Sequence, residues 1–162
     1  MQQHLHTLTG QLPGRFREPD VIADRQAETA HVRHVEDAEL GSRADPGLVG
    51  PEGKETTLVL HTAGFPPEGD DWDSRLVCHA YGLGWRQFIC YGYRGQRFLG
   101  CGLGPRTDDV TIDAYGSSGD YLGSGIDGMT LRVHGNAQDQ LGQILKSGKL
   151  VILGDVGQTF MY

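Results

Sequence analysis

The chain is 162 residues long, enough for one ordinary domain, and 25 of those residues are glycine, about twice the usual share of roughly 7%. A formal charge of −7 excludes a nucleic-acid surface, because phosphate backbones are bound by concentrated Lys and Arg and no such cluster occurs. No apolar run approaches the ~20 residues of a membrane span, and the start of the chain lacks the basic and apolar regions of a signal peptide, so the sequence reads as cytoplasmic with no membrane partner.

In chain order, residues 1–55 form a polar N-terminal segment broken by Pro13, Gly14, Pro19, Pro46, Gly47, Gly50, Pro51 and Gly53. It reads as loosely ordered, with a helix only over residues 20–40, where Val21, Ile22, Ala27, Ala30, Val35 and Ala38 give an irregular apolar face. His31 and His34, with Glu36 nearby, would share one side of that helix, but a lone His-x-x-His pair is ordinarily solvated and no metal site is assigned.

Residues 56–104 read as a β-α-β-β unit. The expected elements are a strand over 57–61, a turn over 64–69, a helix over 72–81 ended by Gly82 and Gly84, a strand over 86–91, a turn over 92–95 and a third strand over 96–101. Asp70, Asp71, Asp73, Arg75 and His79 supply polar material for a cleft beside this unit, although aspartates before a helix are ordinary caps. Cys78, Cys90 and Cys101 make neither a metal knuckle nor a disulfide framework, which points to a reducing compartment and to no iron–sulfur cluster.

Residues 105–162 repeat. Gly116, Gly135 and Gly154 recur every nineteen residues, and around them Ile112, Leu131 and Leu150 align, as do Ala114, Val133 and Ile152, and Leu122, Leu141 and Phe160. Asp113 and Arg132 alternate with the apolar positions, the period of a strand with one face inside. Strand, turn, strand, turn in nineteen residues is one coil of a β-solenoid, and neither a leucine-rich framework nor a long uninterrupted helix is present. Gly116, Gly119, Gly123, Gly135, Gly142, Gly154 and Gly157 are then corner residues, the 116/135/154 column turning with positive φ, while Asp120 and Asp139 cap their own turns. A phosphate loop at residues 119–125 or 102–104 is disfavoured, since such a loop occurs once and opens a helix.

The strings at residues 116–125, 128–137 and 148–157 resemble the GXGXG-motif domain, which is found at the C-terminus of the glutamate synthase large subunit and recurs in one subunit each of formylmethanofuran dehydrogenase and N-methylglutamate synthase. The resemblance implies a right-handed single-stranded β-helix with an architectural role, the flavin, iron–sulfur cluster and glutaminase nucleophile belonging to other domains. Position 2 is Gln2 rather than a nucleophilic cysteine, and His4, His6, His61, His79 and His134 are scattered, so no catalytic, cofactor-binding or metal-binding residue is assigned. The expected function is a structural or docking subunit of a glutamate-synthase-like amidotransferase or oxidoreductase. Its partners are other subunits of that complex, or a second copy at the open end of the last coil near Phe160, Met161 and Tyr162. The alternative is a small enzyme or ligand-binding protein with a site between the lead-in unit and the repeat.

Overall fold

Strand periodicity and glycine spacing resolve into one parallel sheet in the computed structural model, which describes the backbone of residues 32–35 and all of residues 48–159. Its six strands are β1 (Val32–Val35), β2 (Thr57–His61), β3 (Gln87–Arg94), β4 (Thr111–Ser117), β5 (Asp127–His134) and β6 (Ser147–Ile152). They neighbour one another in sequence order and every pair is parallel. Parallel neighbours need a crossover, and only one crossover among the described residues contains an α-helix, α1 (Asp73–Gly82), between β2 and β3. The fold is therefore mainly β with little helix.

The elements upstream of the repeat depart from expectation. Within the stretch expected to be helical, Val32–Val35 is instead a strand, because its backbone continues the ladder on the free edge of β2 (Val32 opposite Thr57, Val35 opposite Leu60); the remainder of residues 20–40 lies outside the described residues. The expected strand over 96–101 does not form, since Phe98 and Gly100 have φ of 64° and 78°, values no extended strand accommodates. The strand beside β3 is β4, which makes the lead-in unit β-α-β.

The nineteen-residue period is a hydrogen-bonded register. Thr111, Ile112 and Ala114 face Thr130, Leu131 and Val133, and Leu131 and Val133 face Leu150 and Ile152. The preceding circuit, from Tyr93 to its partner Gly116, is four residues longer. Segments between strands bond circuit to circuit as well: Gly123 N–H to Leu99 O at 2.8 Å, Gly142 N–H to Leu122 O at 2.8 Å, and Tyr121 N–H to Asp139 O at 3.1 Å. Ser118, Ala137 and Val156 are joined by parallel bridges.

Between strands and return segments lies one apolar core. Leu58, Phe88, Ile112 and Leu131 enter it from the strands, Leu99, Leu122, Leu141 and Ile126 from the return segments, and Leu76, Val77 and Ala80 from α1. Each of the larger side chains among them contributes roughly 1.5–3 kcal/mol by leaving water. The core and the sheet run without a break across residues 104 and 105.

The corners also differ from expectation. Gly135 and Gly154 do not have positive φ; they are small because the circuits touch there. A methyl on Gly135 would overlap Gly116 O, one on Gly154 would lie 2.6 Å from Gly135 O, and one on Gly116, which does have φ of 110°, would lie 2.5 Å from Tyr93 O. The left-handed corner is made by Phe98, Tyr121, Gln140 and Thr159, with φ of 64°, 59°, 59° and 60°. Two residues further on, Gly100, Gly123 and Gly142 repeat it (78°, 65°, 62°), and two further still Gly102 and Gly125 do so (80°, 76°), with Ile144 in the third copy at 55°.

Replacing Gly135 by Ala is expected to cost at least about 2 kcal/mol through overlap with backbone, whereas Gly125→Ala, where nothing lies within 4 Å of the new carbon, should cost about 1 kcal/mol for its left-handed φ alone; urea denaturation of the two variants measures the difference. Ile144 is 73% exposed and β-branched at positive φ, so Ile144→Gly should stabilise by about 0.5–1 kcal/mol, the relief of left-handed strain less the entropy of glycine, seen as a raised Tm.

Candidate functional site

The repeat residues singled out in the sequence lie in columns running along the stack, and what they do there is bind the next circuit. Asp120 Oδ1 accepts the backbone N–H of Asp139 at 3.0 Å, and Asp139 Oδ1 accepts that of Gln158 at 2.5 Å. These carboxylates cap the following circuit rather than their own turn, because the parallel register sets each N–H above the preceding side chain. Asn136 Oδ1 does the same for Asp155 N–H at 3.0 Å. Arg97 bridges Asp120 at 3.2 Å and Glu68 at 2.6 Å, with its guanidinium over the rings of Phe98 and Tyr121, themselves stacked at 5.0 Å. Gly119 and Gly157 are further close-approach positions, a carbon on Gly157 lying 2.9 Å from Gln138 O. Gly123 and Gly142 are left-handed corners.

The polar residues around α1 lie in different surroundings. Asp70 pairs with Arg75 at the surface, Asp71 and His79 are exposed, and Asp73 is fully buried. Of the pair His31 and His34, His34 lies on β1 and His31 is outside the described residues.

A different constellation is brought together on the outer face of the sheet. Alternation along β4 and β5 turns Ile112, Ala114, Leu131 and Val133 inward, and Asp113, Tyr115, Arg132 and His134 outward, with Asp113 opposite Arg132 and Tyr115 opposite His134. Asp113 is only 2% exposed. Its carboxylate accepts two hydrogen bonds from Arg132, Nε at 2.8 Å and Nη2 at 3.0 Å, and lies 2.8 Å from His134 Nε2. The carboxylate raises the guanidinium pKa of Arg132. The His134 ring stacks on Tyr115 at 4.1 Å, and elsewhere on the sheet His61 stacks on Tyr91 at 4.6 Å. Val59, Ile89 and Tyr115 form a second, smaller buried cluster on this face.

Chemically, a carboxylate, an imidazole and a guanidinium in contact can hold a proton or orient an anion. In the sequence, His134 and His61 stand among scattered histidines, and Asp113 and Arg132 serve only as markers of the outer face. The signal for the cluster was nonetheless present, since the nineteen-residue offset pairs 113 with 132 and 115 with 134.

The thiols are poor nucleophiles. Burial pushes Cys101 up to about 11 and moves Cys90 and Cys78 upward too, and it is the thiolate that reacts. Among the described residues no group of three or more His, Cys, Asp or Glu side chains is placed to hold a metal ion, and no helix is long and apolar enough to cross a membrane. Set against protein-family models, curated proteins and solved structures, the chain matches none.

Asp113 and Arg132 are expected to be energetically coupled by about 1–2 kcal/mol, as a two-point charge-assisted contact to a buried carboxylate. A double-mutant cycle of Asp113→Ala and Arg132→Ala, followed by urea denaturation, measures this directly.

Proposed function

We propose that the chain is a right-handed single-stranded β-helical module of the GXGXG kind, with a structural or docking role in a multi-subunit glutamate-synthase-like amidotransferase or oxidoreductase. The observation that carries this reading is the continuity of circuit-to-circuit bonding. The nineteen-residue register holds in the strands, in the return segments and in the side-chain column from Asp120 through Asp139 to Gln158. Chemistry-bearing groups are thereby used in stacking: the repeat's carboxylates cap neighbouring circuits and its glycines admit them. An enzyme with a site between the lead-in unit and the repeat has less support, since Asp70 pairs with Arg75 and Asp73 with Tyr93 instead of converging on a common point.

The docking surface in this reading is the β6 side of the sheet. Ile144, Leu153 and Val156 of the last described circuit are 73%, 44% and 47% exposed, three of the five large exposed hydrophobics among the described residues, while Leu150 and Ile152 are only partly covered. Among the described residues β6 ends the sheet; an edge strand flanked by such side chains is a template for a further strand, and a second copy is one chain able to supply it.

The expected result is concentration-dependent self-association at tens of micromolar, measured by light scattering after size-exclusion chromatography, and its loss in Leu153→Lys/Val156→Lys with Tm unchanged. A wild-type chain that stays monomeric throughout would count against docking at this edge.

A further inference from the structure

Helix α1 is fastened to the sheet by a buried acid. Asp73, its first residue, is 0% exposed, and one carboxyl oxygen accepts the hydroxyl of Tyr93, itself 3% exposed. Tyr93 faces inward because of a bulge: Tyr91 pairs with Tyr115 and Tyr93 with Gly116, so Gly92, at φ of 84°, is skipped in the register. Were Gly92 paired in the register rather than bulged out of it, strict alternation would turn Tyr93 to the outer face beside Tyr91. Next to the contact, Ser74 Oγ donates to Phe98 O at 2.7 Å, and Leu76, Val77 and Ala80 join the core. The second oxygen of Asp73, Oδ1, is buried without a hydrogen bond of ordinary geometry.

We propose that the buried Asp73 carboxyl is a pH-responsive latch, holding the start of α1 against the sheet while it is protonated and loosening it when it ionises.

The surroundings favour the neutral acid. Burial raises the pKa of Asp73 to about 6, and the hydrogen bonds from Tyr93 and from the backbone of Ser74 and Asp73 only partly offset that rise. None of the groups acting on it is a cation. The titratable groups that face it come from β3, namely Tyr93 and Cys90, and burial together with the Asp73 charge pushes both upward, so both stay neutral. Within its own helix, His79 lies at the opposite end and is exposed. A carboxylate there keeps a phenol and the helix N-terminus as partners but loses water.

The direction follows from linkage. The released chain gives up its proton near the ordinary value of 3.8 and the latched chain near about 6, so the latch contributes fully below 3.8, weakens as pH rises to about 6, and is flat above that. The difference corresponds to about a 100-fold change in the docking equilibrium, equivalent to about 3 kcal/mol.

Hydrogen–deuterium exchange on the intact chain, corrected for intrinsic rates, tests this. Protection of the α1 amides should fall about 100-fold between roughly pH 4 and pH 7 while that of β5 is unchanged, and Asp73→Asn should hold the acid-level protection throughout. Carbon-13 NMR of the wild-type aspartate carboxyls should show Asp73 titrating near 6, and Tyr93→Phe should move it higher by removing a bond to the charged form. Protection independent of pH in the wild type, an identical fall in Asp73→Asn, or an Asp73 carboxyl titrating in the ordinary range would each overturn the latch.

Discussion

Successive circuits of this chain lie so close that backbone meets backbone with no side chain between. At Gly116, Gly135 and Gly154 the carbonyl of one circuit occupies the place where the next would carry its β-carbon. That approach sets the hydrogen-bonding distance for the whole stack. Once it is fixed, parallel ladders on the strand side and single bonds on the return side form in one register, and each carboxylate in the Asp120 column comes within reach of the N–H above it. Backbone groups that would otherwise be buried without partners find them in the neighbouring circuit, as a fold with few helices requires.

Corner geometry follows from the same constraint. A circuit of nineteen residues must reverse direction in few residues, and it does so with left-handed conformations at three alternating positions. Tyr121 and Gln140 occupy one of these despite carrying β-carbons, at an expected cost of roughly 1–2 kcal/mol each. In return the corner places Tyr121 against Phe98 and beneath Arg97, so part of that strain is offset by ring and guanidinium contacts at a half-buried surface. The longer circuits handle their extra length differently: one inserts α1, and another carries further residues at 104–110 with Arg106 at φ of 60°.

The two faces of the sheet divide the chemistry. Inward, apolar columns run the length of the stack, and the acid Asp73 is tied to a tyrosine that a bulge has turned in. Outward, Asp113, Arg132, His134 and Tyr115 form a dense polar and aromatic group in which the acid is nearly inaccessible and the basic partners are partly exposed. The inner contact links the helix to the sheet through a titratable bond. The outer one links β4 to β5 through a charge pair.

By itself the sequence determined the repeat, its period, the strands over Ile112 and Leu131, the helix near Leu76 and the inward columns, because period-two and nineteen-residue patterns are local or translational and survive in one dimension. The same spacing contained the outer-face cluster, which became visible only once Asp113 and Arg132 were treated as neighbours rather than as alternation. Tertiary structure alone decided the rest. Val32–Val35 became a strand through an edge ladder to β2, a non-local pairing that outweighs helical pattern. Residues 96–101 became a corner because Phe98 and Gly100 take positive φ, which propensity does not signal at a phenylalanine. Gly135 proved small for lack of space and not for its φ, a distinction that depends on how near Gly116 lies, and that nearness exists only after the chain has folded back upon itself.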